Sequence, residues 1–181
     1  MDDYLKYYDL ERYLFEDVHR RFHHEQSLGA FDFFSIIIWK ANRAKSRIAL
    51  KLLKQDPKRR RKLDAICRTL TTSLYAAPSD KERLRVLMED WDFALPMASA
   101  ILSVCWPGDF TVYDYRVRVL VGCPELNNLT DFEKIWDGFQ KYKTKVSEIA
   151  QPELSLRDKD RYLWGQSTAS QLKEDIRRYS K

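Results

Sequence analysis

The sequence predicts an all-α protein, a single helical domain of about nine helices spanning residues 1–181. Three observations carry that expectation. Apolar residues recur at three- and four-residue spacing along nearly the whole chain, the repeat of helices that each bury one face. Five Gly and six Pro supply too few turns for a sandwich or barrel, whose chain reverses every few residues. Ten Tyr, nine Phe and five Trp provide core material that a disordered chain lacks.

The elements follow in order. Tyr4, Tyr7, Tyr8, Leu10, Tyr13, Leu14 and Val18 form an aromatic stripe on an N-terminal helix, which Ser27-Leu28-Gly29 breaks. Phe31, Phe34, Ile37 and Ile38 give the next helix a buried face, ending near Trp39-Lys40. Ile48, Ala49, Leu50, Leu52 and Leu53 mark a further helix that stops at Asp56-Pro57, because the residue before a proline is pushed out of the helical region. Leu63, Ile66, Leu70 and Leu74 share the face of another, closed by Ala77-Pro78. Ser79-Asp80-Lys81-Glu82 is a capping box, and Leu84, Leu87 and Met88 follow on one face. Ala98, Ile101, Leu102 and Cys105 define a helix from about Pro96 to Trp106-Pro107-Gly108-Asp109. Val117, Leu120 and Val121 suggest a short helix after Asp114. Thr130-Asp131-Phe132-Glu133 is a second capping box, opening the clearest amphipathic helix with Phe132, Ile135, Trp136, Phe139, Tyr142, Val146 and Ile149. The last helix begins after Ser155-Leu156-Arg157-Asp158 and faces Leu163 and Trp164 inward.

Composition narrows the function. No apolar run approaches the length of a membrane span, and the acidic start Met1-Asp2-Asp3-Tyr4 is unlike a signal peptide. Cys67, Cys105 and Cys123 are odd in number and widely spaced, so neither a disulfide framework nor a zinc or iron–sulfur motif is expected. His23-His24 has no third ligand at metal spacing and reads as a solvent-exposed pair. The expectation is a cytoplasmic monomer, nucleoid-associated in a bacterium, with no cofactor, no metal and no membrane partner.

Charge is uneven along the chain. Lys40 to Lys62 holds eleven Lys or Arg against Asp56 alone, a net +10. The whole chain is +5, so the remainder is −5. Such a block is the footprint of a polyanion-binding face, or otherwise a solvated helix surface. DNA bound through residues 40–62, with salt-dependent affinity, is the expected partner.

Leu95-Pro96-Met97-Ala98-Ser99-Ala100-Ile101-Leu102, followed by Val112-Tyr113-Asp114-Tyr115-Arg116-Val117, resembles the helix-hairpin-helix DNA glycosylase superfamily, and most of all its small 8-oxoguanine-glycosylase-like members. Ile38-Trp39-Lys40-Ala41-Asn42-Arg43 and the stretch from Leu154 to Trp164 look like the same branch, so the resemblance covers roughly residues 31–165. It implies a helix-hairpin-helix fold and, by the position of Asp114 16 residues after Ala98, a catalytic carboxylate at Asp114. Cleavage of an N-glycosidic bond builds positive charge on the sugar of a flipped nucleotide, which a fixed carboxylate stabilises or meets with activated water. Asp is also a favoured N-cap, so Asp114 has an ordinary structural reading as well.

The chain departs from that family in two places. Asp92-Phe93-Ala94 stands where the hairpin Gly-Val-Gly belongs, so the hairpin is degenerate and a carboxylate sits where a DNA phosphate would approach. Pro96 stands where bifunctional members carry a Schiff-base lysine, which implies a monofunctional hydrolase. Lys40 is the residue expected to assist Asp114. Arg43, Lys45, Arg47, Lys58, Arg59, Arg60, Arg61, Lys62, Arg116 and Arg118 are the expected DNA contacts, and Trp39, Tyr113 and Tyr115 the expected base-stacking residues. The alternatives are a non-catalytic DNA-binding module with the same fold and a protein-interaction domain.

Overall fold

The computed structural model describes residues 4–55, 61–149 and 151–180. Every regular element among them is helical, with no strand, as the periodicity predicts. The chain forms two compact units, Met1–Trp106 and Pro107–Lys181.

The first described element is a 3-10 turn, Tyr4–Tyr7; Tyr4 within it and Tyr8 just after it are exposed. The inward part of the aromatic stripe therefore starts only at Tyr13, with Leu14 and Val18. Asp9 caps α1 (Leu10–Arg12), which runs through a π-helical stretch, Tyr13–Val18, into α2 (His19–Glu25). Gln26, at φ +55°, reverses the chain in the left-handed region. The break at Ser27-Leu28-Gly29 is then tied down. The Leu28 amide donates to Thr71 Oγ1 at 2.8 Å, and the Thr71 hydroxyl donates to Cys67 O at the same distance.

Asp64 satisfies the first amide of α3 (Ala30–Ala41): the Ala30 N–H donates to its Oδ1 at 2.8 Å. That bond, helped by Arg68, holds the Asp64 carboxyl below its ordinary range. The buried face of α3 is Asp32, Phe33, Ser35, Ile36 and Ile37, whereas Phe31 and Ile38 are exposed. The face is thus rotated from the one that the Phe31, Phe34, Ile37 and Ile38 spacing predicts. Asp32 explains the rotation. It is buried, receives the Tyr13 hydroxyl and pairs with Arg21, so its partners on the N-terminal helices draw its side of α3 inward.

A short 3-10 turn, Asn42–Ala44, leads to α4 (Lys45–Lys54), which buries Ile48 and Leu52 and exposes Leu50. The expected stop at Asp56-Pro57 lies outside the described residues. α5 (Leu63–Ala76) buries Ile66, Leu70 and Leu74 and ends at Ala77, as its stripe predicts. α3 packs on α5 and on α7 (Leu95–Cys105), nine of whose residues are buried. The last carbonyls of α7 are closed by histidines: His19 Nδ1 lies 3.1 Å from Val104 O and His23 Nε2 2.7 Å from Cys105 O. A carbonyl only accepts, so both ring nitrogens donate. His24 is exposed as expected, but His23 is half-buried in this capping role rather than solvent-exposed.

In the second unit Asp114 caps α8 (Tyr115–Leu120), Asp131 caps α9 (Phe132–Ser147) and Ser155 caps α10 (Leu156–Tyr179). The cap of α9 is one residue later than the Thr130 box predicts, since Asp131 Oδ1 accepts from the Glu133 and Lys134 amides. Phe132, Ile135, Phe139, Tyr142 and Val146 form the buried stripe of α9. Gly138 lies where Leu126 closes on the helix: a Cβ there would sit 2.5 Å from Leu126 Cδ2. α10 packs on α8 and α9 through its first half, with Asp160 and Leu163 buried. Trp164 does not face inward as the sequence predicts and is 47% exposed.

Candidate nucleic-acid interface

The stretch in which the sequence resemblance expects a degenerate hairpin joins two helices. Ser79 Oγ accepts the Glu82 amide and starts α6 (Asp80–Arg85), which passes into a π-helical turn, Val86–Asp90. The wide turn closes through backbone bonds of ordinary length, Trp91 N–H to Val86 O at 3.1 Å and Phe93 N–H to Leu87 O at 2.8 Å. Between them Asp92 takes φ +54°, a conformation that glycine adopts at least cost and Asp tolerates better than most side chains. Phe93 is buried, Ala94 is extended, and α7 begins at Leu95 with Pro96 in its first turn, where a missing amide costs nothing.

The Asp92 carboxylate has a counter-charge that the sequence reading missed. Lys51 Nζ, from α4, lies 2.7 Å from Asp92 Oδ2, also donates to the Asp92 carbonyl, and stands 5.7 Å from the Phe93 ring centroid. The Asp92 side chain is 84% exposed and that of Lys51 31%. No local sequence signal links two residues 41 apart, although Lys51 lies within the basic block.

Beside the turn at Asp92 is an open cavity of about 460 Å³. Ala41, Ala44, Ile48, Phe93, Pro96 and Met97 give it an apolar floor; Lys40, Arg47, Lys51 and Asp92 give it charge. Lys40, in the last turn of α3, is half-buried. Trp39 is half-buried with its ring edge-on to Phe15 at 5.6 Å. Arg43, Lys45 and Arg47 are exposed, and Lys45 Nζ donates to Asn42 Oδ1 at 2.8 Å. Arg61 and Lys62 are exposed before α5, with Arg61 Nη1 3.4 Å from Thr69 Oγ1. Lys58, Arg59 and Arg60 lie outside the described residues.

The second unit contains Asp114. Its Oδ1 accepts the Arg116 amide at 3.0 Å, so the carboxylate caps α8 and is half-buried. Tyr115 is 53% exposed, with the Arg116 guanidinium 4.7 Å from its ring centroid and 5.9 Å from that of Trp164. Two expected contacts are turned the other way. Tyr113 is 1% exposed, packs edge-on to Tyr142, and accepts the Leu126 amide at 2.9 Å. Burial pushes its hydroxyl up to about 12. It presents no face on which a base could stack. Arg118 pairs with Glu125 at 3.1 Å and donates to Cys123 O, so it fixes the loop after α8 instead of reaching toward phosphate.

The three cysteines are free and buried, and burial pushes the Cys67 thiol up to about 12. Among the described residues no cluster of three or more His, Cys, Asp or Glu stands at metal-holding spacing, and no helix is long and apolar enough to cross a membrane. In comparisons with protein-family models, curated proteins and solved structures, nothing matches this chain.

Proposed function

We propose that the protein binds DNA with its hairpin and basic face and excises a modified or damaged base, as the helix-hairpin-helix glycosylases that its sequence resembles do. The observation that supports the reading is the turn at Asp92 with the cationic cavity beside it. Two helices meet through a left-handed turn at Asp92, and a cavity with three cationic side chains opens beside them. Phosphodiesters favour such a surface because each contact releases condensed counterions.

In this reading a nucleotide is flipped from the duplex and the bond from base to sugar C1′ breaks. Water adds its oxygen to C1′ and the base leaves with a proton. The Asp114 carboxylate stabilises the positive sugar or takes a proton from that water. Pro96 has no amine to form an imine, so the reading is hydrolysis without strand cleavage by the protein.

A second reading has specific support: Asp114 is already engaged as the cap of α8. A non-catalytic DNA-binding module needs nothing more of it. Incubation with duplexes that each carry one modified base, followed by alkali, separates the two. The glycosylase reading expects strand breaks at one class of modified base; binding without breaks in any duplex favours the module.

A further inference from the structure

We infer that the exposed stripe along α10 pairs this chain with a second copy of itself, as a weak antiparallel two-helix seam. The inference does not rest on the DNA-binding reading.

Tyr162, Gly165, Ala169, Leu172, Ile176 and Tyr179 stand alternately three and four residues apart, the spacing of the a and d positions of a heptad. On α10 that spacing puts all six on one side of the helix. The buried Asp160 and Leu163 lie on the opposite side. From Ala169 to Ser180 every residue except Asp175 is exposed, and Leu172, Ile176 and Tyr179 each show more than half of their surface. Single exposed apolar residues are ordinary, but a row of them in phase on one helix marks a contact surface.

The order of sizes along the row selects the occupant. In an antiparallel pair centred between Ala169 and Leu172, Gly165 meets Ile176 of the second copy, Ala169 meets Leu172, and Tyr162 meets Tyr179. Small then faces large, as close packing requires. A parallel pair would set Gly165 against Gly165 and leave a void. Nothing lies within 4 Å of where a Gly165 Cβ would be, so the Ile176 side chain of the second copy has room there. The charges beside the row agree: in the antiparallel pair Lys173 stands opposite Gln166 and Asp175 opposite Thr168, so no like charges meet. Covering the row from both copies removes roughly 1,000 Å² from solvent, the lower limit for a specific interface and the size class of weak ones. A dissociation constant of about 10–100 µM follows.

Sedimentation velocity of the full chain from about 1 to 300 µM tests this, and the wild type is expected to pass from monomer to dimer. Leu172→Glu with Ile176→Glu buries four carboxylates in the dimer and is expected to weaken association at least about 100-fold. Orientation is read from two further variants, Ala169→Cys and Leu172→Cys, mixed and oxidised; Cys67, Cys105 and Cys123 are buried. The antiparallel seam expects the disulfide between the two different variants to dominate, whereas a parallel seam gives each variant linked to itself. A wild type that stays monomeric leaves the stripe to a different protein and overturns the inference. So does a dimer that survives Leu172→Glu with Ile176→Glu, or self-linked products in place of the mixed one. If the doubly charged variant fails to fold, the disulfide pattern decides.

Discussion

The Tyr13 hydroxyl donates to Asp32 Oδ1 at 2.6 Å inside the first unit, and Arg21 Nη1 bonds the other carboxylate oxygen. Asp32 is buried, so the ion pair and the phenol together satisfy a charge that would otherwise be costly. Asp32→Ala strands Arg21, which is partly open to solvent, and is expected to cost about 2–3 kcal/mol in a denaturant titration.

The same bond predicts an alkaline limit. Burial, and then the bond to Asp32, push the Tyr13 hydroxyl up to about 12. A phenol whose folded-state value is raised stabilises the fold fully below its unfolded value of about 10 and loses that contribution as pH rises toward the folded value. Stability should therefore fall between about pH 10 and 12. Tyr13→Phe should flatten that part of the profile; the same slope in the variant would assign it to other tyrosines.

Two glycines on helices should respond in opposite directions to alanine. At Gly138 the new Cβ would press on the buried Leu126, and the overpacking should outweigh the gain in helix propensity, for a net loss of about 1 kcal/mol. At Gly165, on α10, nothing lies within 4 Å of a Cβ, so alanine should add roughly 0.5–1 kcal/mol. Thermal melts of the two single variants check both signs.

Thr71 joins α5 to the break before α3. Thr71→Val keeps the shape but leaves the buried Leu28 amide without its acceptor, an expected loss of about 1–3 kcal/mol. Amide exchange at Leu28 should quicken relative to the flanking residues.

These predictions also mark where sequence reasoning reached. Helices α5 and α9 were legible because their apolar residues are sparse enough to fix a phase: Ile66, Leu70 and Leu74 in one, Phe132, Ile135, Phe139 and Tyr142 in the other. In α3 nearly every position is apolar, so several phases fit equally well, and a buried aspartate chose between them through partners on other helices. The π-helical turns at Tyr13–Val18 and Val86–Asp90 leave no periodic trace, since each shifts the register only locally. Trp164 reads as core from its place beside Leu163 on an amphipathic stripe but stays half-exposed with Arg116 near its ring. At the candidate interface the basic block was plain from charge alone. Lys51 as the partner of Asp92 was not, because a contact across 41 residues depends on how α4 meets the turn at Asp92.

Salt dependence addresses the basic face directly. Arg43, Lys45 and Arg47 are exposed on adjoining turns. Replacing all three with Gln should lower the slope of log affinity against log salt by up to about 3 if each meets a phosphate. An unchanged slope would move the DNA contact away from these residues.

Asp114→Asn tests the central claim most directly, because Asn caps a helix about as well as Asp while lacking the carboxylate charge. With a duplex that wild-type protein converts to alkali-labile sites, the variant should be slower by about 100-fold or more. Its stability should stay within about 0.5 kcal/mol of wild type, and its affinity for the duplex should be unchanged. Equal rates of abasic-site formation by wild type and Asp114→Asn would contradict the account, because the carboxylate would then be only the cap of α8 that its bond to the Arg116 amide makes it.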